Sequence, residues 1–339
     1  MAGRASGTGA WSAPRSDAVW QPVGRVGDQD GQPAMSNPAV GIDVGGTTIK
    51  LGLITRDGRV CARHRVPYAA SRTFDEIADS LANAVRTMEA QAGMKAASLG
   101  IAAPGHAQPG DGVMVDGTRN VPLLKDRSLA MAVSERLALP FLTLNDGSAA
   151  TLGEQHYGAG RGLSRFALIT LGTGVGGGIV IDGRLVTGGD GIPPELGAIV
   201  LDDQRSSRRT LEDFASASGF VAAYETAGGT SGCLAAEIFQ RATAGDACAS
   251  AAIDAVCRRI AHGLGILINA LNLQACLVGG GIAQAGAPLV DAIVRHLPDF
   301  TWHFLLARAR VALAETGDDA GILGAARSAL DQPAVSLPR

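Results

Sequence analysis

The chain has 339 residues, of which 46% are hydrophobic and 18% charged, with a formal net charge of -3. Such a length predicts two lobes with a large buried core, and the near-neutral charge argues against a surface built for the nucleic-acid backbone. The five cysteines (Cys61, Cys233, Cys248, Cys257, Cys276) are scattered and form no CxxC, which argues against a disulfide framework or thiolate metal site and for a reduced cytoplasm.

In chain order, residues 1–37 are rich in Gly, Pro, Ser and Ala without apolar period and are expected to form a disordered leader, with Met35 a candidate true start. They lack the amphipathic helices of a DNA-binding head and the basic-then-apolar layout of a signal peptide. No later run is apolar enough for a membrane span. From Val40 the phrase "VGIDVGGTTIKLGLITRDGRV" spells an apolar strand, a glycine turn carrying threonine, a second strand, an Asp-Gly-Arg turn and a third strand start. "TFDEIADSLANAVRTMEAQAG" places Phe74, Ile77, Ala78, Leu81, Val85 and Met88 on one helical face, capped by Thr73 and stopped at Gly93. "AASLGIAAPG" and "LPFLTLNDG" are strands, and "GSAATLGEQHYGAG" is a helix opened by Asp146 or Gly147.

From Leu168 the phrase "LITLGTGVGGGIVIDGRLV" then repeats the first one. Mostly helices follow, among them a long one across "SAAIDAVCRRIAHGLGILINALN". Strands at "ACLVGGGIAQAG" and "RVALAE" and a helix at "DAGILGAARSAL" close the chain. Alternating strands and helices make this an α/β protein.

A glycine turn lets the backbone approach a ligand, and successive N–H groups form a nest for anions. One such turn is as consistent with a plain hairpin as with a phosphate site. Two matched copies suggest homologous lobes whose turns face each other across one cleft. Neither turn is a Walker loop, since GxxxxGK[ST] is absent, nor a Rossmann fingerprint, since a strand follows rather than a helix.

These residues carry a family resemblance. "DVGGTTIK", "LGTGVGGG", "APG" at Ala103 to Gly105, "NVP" at Asn120, "NDGSAATLGE" at Asn145, "PELG" at Glu195, "LEDFASASG" at Glu212, "VGGGIA" at Gly279 and "DDAGILGAA" at Asp318 stand in the order found in sugar kinases of the ROK family. The chain resembles that family, within the actin-like ATPase superfamily, from about Val40 to Leu330. The resemblance implies two RNase-H-like lobes, with a small one over 38–145, a large one over 146–330, the last helix packing back on the small lobe, and a tail over 331–339. It also implies ATP and Mg²⁺ in the interlobe cleft and γ-phosphoryl transfer to a sugar hydroxyl, with a homodimer as the expected assembly and the cytoplasm as the expected location.

By that resemblance Asp146 is the catalytic base, although an Asp in this setting more commonly caps a helix. Asp43 would hold Mg²⁺ mostly through water. Gly45, Gly46, Thr47, Gly172, Thr173, Gly174 and Gly176 would cradle phosphate, and Gly280 with Gly281 would admit the adenosine. Lys50 stays open between a site role and a solvated strand face. Asn120, Asn145, Glu195 and Glu212, with Asp146, match the sugar-contacting set.

The departure lies in "PPELGAIVLDDQRSSRRTLEDFASASG". Relatives with the usual pattern carry a histidine where Ala198 stands and three cysteines before the final Leu-Glu, which together hold zinc. The segment from Asp202 to Thr210 has no cysteine, so no zinc site is expected. That segment reads as a loop, held by ion pairs of Asp202 or Asp203 with Arg205, Arg208 or Arg209. His64, His106, His156, His262, His296 and His303 read as ordinary surface or core residues. Losing the histidine at 198, with Leu144 and Ser148 departing nearby, loosens glucose specificity toward an amino sugar or a C7-cyclitol of secondary metabolism. Polyphosphate stays a variant donor, while a non-catalytic sugar-responsive regulator and a nucleotide switch fit the residues less well.

Overall fold

Both copies of the repeated phrase fold into the same antiparallel meander. The computed structural model describes residues 37–69, 71–189, 191–204 and 207–331. The expected leader, apart from Asn37, and the expected tail, apart from Asp331, lie outside the described residues.

In the first copy β1 (Ala39–Val44), β2 (Thr48–Ile54) and β3 (Val60–Pro67) pair antiparallel. Helix α1 (Phe74–Ala92) begins at a reciprocal cap between Thr73 and Glu76 and ends on a left-handed Gly93. The fully buried β4 (Ser98–Ala103) runs parallel to β1. A short hairpin, β5 (His106–Ala107) with β6 (Met114–Asp116), and helix α2 (Leu129–Leu137) lead to β7 (Phe141–Asn145), parallel to β4. Helix α3 (Asp146–Tyr157) follows directly.

The second copy supplies β8 (Phe166–Leu171), β9 (Val175–Ile181) and β10 (Arg184–Leu185). Next come a hairpin of β11 (Val200–Gln204) and β12 (Ser207–Thr210), then α4 (Leu211–Ala215), α5 (Ala217–Thr226), α6 (Ala235–Thr243) and the long α7 (Ala247–Leu271). Strand β13 (Ala275–Gly279), helices α8 (Ala287–His296) and α9 (His303–Leu306), strand β14 (Arg310–Leu313) and α10 (Ala320–Asp331) complete it. The first sheet runs β3-β2-β1-β4-β7 and the second β10-β9-β8-β13-β14, which is one topology used twice.

Each sheet has its own apolar core. Ile42, Leu51, Leu81, Val85 and Leu99 belong to the first, and Ile169, Leu171, Phe220, Tyr224 and Ile260 to the second. The helices that end the two halves are exchanged. Helix α3 leaves the first sheet and packs on β8 and β9, whereas α10 leaves the second and packs on β1 and β4. Glycine makes that contact possible: a Cβ on Gly41 would sit 1.9 Å from the Ile322 carbonyl oxygen, and one on Gly324 1.7 Å from that of Ala149. The two helices are thereby brought into close contact with each other. Among the described residues no helix is long and apolar enough to cross a membrane.

Candidate active site

Strand β7 delivers Asn145 and Asp146 to the end of the first sheet, where α3 starts. The helix cap is Asn145, whose Oδ1 accepts from Ser148 N at 3.1 Å, and neither Asp146 nor Gly147 serves as cap. The side chain one residue earlier is the one that reaches the third helical N–H. Asp146 is left lining the cleft, its Oδ1 accepting from Gly147 N at 2.8 Å. Burial raises its carboxyl above the ordinary carboxylate range, against the hydrogen bonds from Gly147 and Asn145.

Two chambers meet at this carboxylate. One, of about 460 Å³, is lined by Asn120, Asn145, Asp146, Glu195 and Glu212, together with Gly45, Gly46, Gly172, Thr173, Gly174 and Gly176. The expected sugar set and both glycine turns thus face a single cleft. The other, of about 470 Å³, is lined by Lys50, Gln284 and Asp318 along with Gly280 and Gly281. Asp43, Asp146, Thr170 and Gly280 belong to both. Thr47 is exposed and lines neither, because the turn presents its glycines to the cleft and its threonine outward.

Asp43 and Thr170 occupy the same position in the two copies, next to last in β1 and β8. Burial pushes the Asp43 carboxyl up to about 6; Lys50 opposes this, and the charges of Asp146 and Asp318 add to it. A buried carboxylate with so little compensation suits a cation beside it. Lys50, left open by sequence, is a cleft residue, with its Nζ 3.9 Å from Asp43 Oδ2 and 3.4 Å from Asp318 Oδ1.

Glu212 stands in the first turn of α4, and its Oε2 accepts from Val175 N at 2.9 Å, so the second glycine turn and this carboxylate hold each other. The segment joining Glu195 to Glu212 is a β-hairpin and not the expected loop. Asp202 pairs with Arg209 and Asp203 with Arg208 across it, and Leu211 N donates to Ile199 O at 2.8 Å. Among the described residues no ion pair joins these aspartates to Arg208 or Arg209, so the hairpin is closed by backbone pairing rather than by the expected ion pairs, and Arg205 lies outside the described residues. Arg209 instead lies 4.0 Å over the Phe214 ring, which Arg259 also approaches at 4.4 Å.

Sequence reasoning missed His106. It lines the first chamber, and its Nε2 is 3.4 Å from Glu195 Oε1. The available signal was its place immediately after the "APG" motif. Thr170 was also passed over, although the repeat itself aligns it with Asp43.

A family model described as the ROK family matches residues 39–332. The chain belongs to the ROK family. This ROK chain is 32% identical over 312 residues to a glucokinase of Halalkalibacterium halodurans, covering 84% of this chain and 92% of that one. It is 33% identical over 294 residues to an N-acetylmannosamine kinase of Escherichia coli, covering 84% and 96%. A solved ROK family glucokinase from Streptomyces griseus, in complex with glucose and AMPPNP, superposes with a TM-score of 0.72 at 28% identity, covering 87% of this chain and 100% of that one. The doubled sheet topology is accordingly that of the actin-like ATPase fold.

Proposed function

We propose that the protein is an ATP-dependent carbohydrate kinase, transferring the γ-phosphoryl group to a hydroxyl of a hexose or hexose-like ring. The observation that carries this reading is the Asp146 carboxylate in the wall shared by the two chambers. One chamber offers amides and carboxylates that suit vicinal hydroxyls, and the other offers Lys50 and the glycines Gly280 and Gly281, which suit a nucleotide. The lobe boundaries proposed are 38–145 and 146–330.

The substrate hydroxyl enters beside Asp146, held by Asn120, Asn145, Glu195 and Glu212. Phosphoryl transfer asks little covalent chemistry of the protein and much positioning. The hydroxyl oxygen forms the new bond to the γ-phosphorus while the bond to the β-phosphate bridging oxygen breaks. Asp146 takes the departing proton, and ADP leaves. The raised affinity of this buried carboxylate for protons makes it a better base near neutral pH than an exposed aspartate. Gly45, Gly46, Gly172, Thr173, Gly174 and Gly176 offer backbone N–H groups toward the phosphates, and Gly280 with Gly281 lets the adenosine approach. Asp43 is the residue that would hold Mg²⁺, which when bound neutralises phosphate charge.

The relative that acts on N-acetylmannosamine supports keeping amino sugars beside glucose and C7-cyclitols as acceptors. A homodimer in the cytoplasm is part of the reading, with exposed Trp302 and Phe304 as its candidate contact and sedimentation as its check. A coupled ADP-release assay over sugars, amino sugars and cyclitols, with ATP and polyphosphate as donors, tests the function. Sugar-dependent ADP release is expected, and its absence across the panel would overturn the kinase reading.

A further inference from the structure

We infer that His106 is a substrate-specificity residue, meeting from the first sheet the ring substituent that Glu195 meets from the second. This inference rests on the kinase reading of the cleft. Four observations carry it.

The ring is held in place from its backbone. It follows Gly105, whose φ of +94° is a left-handed conformation, and a Cβ there would lie 2.2 Å from the Asp116 carbonyl oxygen. Asn145 Nδ2 donates to the Gly105 carbonyl at 3.2 Å. The asparagine that caps α3 behind Asp146 therefore also fixes the turn that presents His106.

The ring is unpaired from behind. Its Nδ1 is buried and has no hydrogen-bond partner among the described residues. A buried ring nitrogen without a partner is a cost that an apolar side chain in the same place would avoid. Packing alone therefore does not account for a histidine, and its other nitrogen faces the cleft.

The contact with Glu195 is incomplete. At 3.4 Å, Nε2 and Oε1 are farther apart than a good N–H···O hydrogen bond. A substrate hydroxyl beside them can donate to Glu195 and accept from His106, which joins the two sides of the cleft through the sugar. Ala198, three residues beyond Glu195, offers no hydrogen bond of its own.

Next to His106 lies room for a substituent. A side cavity of about 70 Å³ adjoins the first chamber at His106 and Asn145, lined by Leu144, Ser148, Leu185 and Thr187. The Ser148 hydroxyl makes no hydrogen bond among the described residues. The acceptor class that fits is a hexose-like ring bearing, next to the hydroxyl held by Glu195, a short substituent with a hydrogen-bonding atom, such as an acylamino or hydroxymethyl group.

The test compares the unmodified protein with His106→Ala and His106→Gln on the best sugar of the panel and its monodeoxy analogues. Turnover and calorimetric affinity are both read. In His106→Ala the sugar KM and Kd should rise about ten-fold or more. Nucleotide KM and melting temperature should hold, and discrimination should vanish against one monodeoxy analogue while surviving against the others. The Gln variant should recover part of the affinity, since its amide can replace the ring N–H. Equal weakening against every analogue, or no weakening, overturns the inference. If no sugar is phosphorylated the kinase reading fails, yet the calorimetric series still decides the role of His106; a panel in which no sugar binds overturns both.

Discussion

Lys50 stands directly opposite Asp43 across the β1–β2 pair, its Nζ 3.9 Å from Asp43 Oδ2, and also donates to the Asp318 backbone carbonyl at 3.3 Å. One ammonium is thus shared between two acidic residues. Desolvation of the half-buried Asp43 in the cleft wall outweighs the attraction of Lys50, and its carboxyl is pushed up to about 6.

A stability consequence follows with a definite sign. A folded-state value above the ordinary 3.8 means that the folded protein holds this proton longer than the unfolded chain. The stability contributed is full below 3.8 and is lost as pH rises through about 6. Ionised Asp43 at neutral pH therefore costs about 3 kcal/mol at most, from 1.36 kcal/mol per pKa unit. In magnesium-free buffer Asp43→Asn should melt higher than the unmodified protein at pH 8 and lose less stability between pH 4 and 7, while its kinase activity disappears. Parallel melting curves for the two proteins across that range would show that the carboxylate is not strained by burial.

Asp146→Asn keeps the shape of the first residue of α3, and the Asn145 cap is untouched. Only the proton acceptor is removed. Turnover should fall by about 10²-fold or more, with calorimetric nucleotide affinity little changed. Near-full turnover in the Asn variant would remove Asp146 from the base role.

Gly174 separates two readings of the second glycine turn. A Cβ there would lie 2.7 Å from Glu212 Oε2, the oxygen that accepts from Val175 N. Gly174→Ala should therefore displace the Glu212 carboxylate and raise the sugar KM several-fold, more than it raises the nucleotide KM. A rise confined to the nucleotide KM would place Gly174 in the phosphate cradle alone.

The doubled architecture was legible because it rests on local signals. The Asp-Gly-Arg turns, the Thr73 cap and the Gly93 stop are each encoded within a few residues, and the repeat of one phrase gave the repeat of one sheet. The convergence of Asn120, Asn145, Glu195 and Glu212 on one chamber could be read only through family resemblance. They lie in loops or at element ends far apart in the chain, and no period links them. Two features escaped. The segment at Asp202 to Thr210 is rich in charge and looked like a loop, but cross-strand pairing between the Glu195 and Glu212 segments made it a hairpin. His106 stood alone among six scattered histidines, and only the fold brings it to Glu195.

That hairpin yields the final prediction. It stands in the segment where the family resemblance implies a zinc motif in other members, and here the backbone closes that segment: Val200 pairs with Thr210, Leu211 N bonds to Ile199 O, and Thr210 with Asp213 caps α4. Glu195 and Glu212 are thereby held on the two ends of one backbone clamp. Phe214 backs it, with the Arg209 and Arg259 guanidinium groups over its ring, contacts worth about 0.5–1 kcal/mol each at exposed sites. Chelators that spare Mg²⁺ should leave the melting temperature unchanged, and elemental analysis should find no stoichiometric zinc. Phe214→Leu should lower stability by about 1–2 kcal/mol. The sugar KM should rise with it, and by more than the nucleotide KM, because the clamp carries both sugar carboxylates and reaches the second glycine turn only through the Glu212 bond to Val175 N. One zinc per chain would sink the clamp as a metal substitute, and a Phe214→Leu protein with unaltered sugar KM would show that the hairpin does not position Glu195 and Glu212.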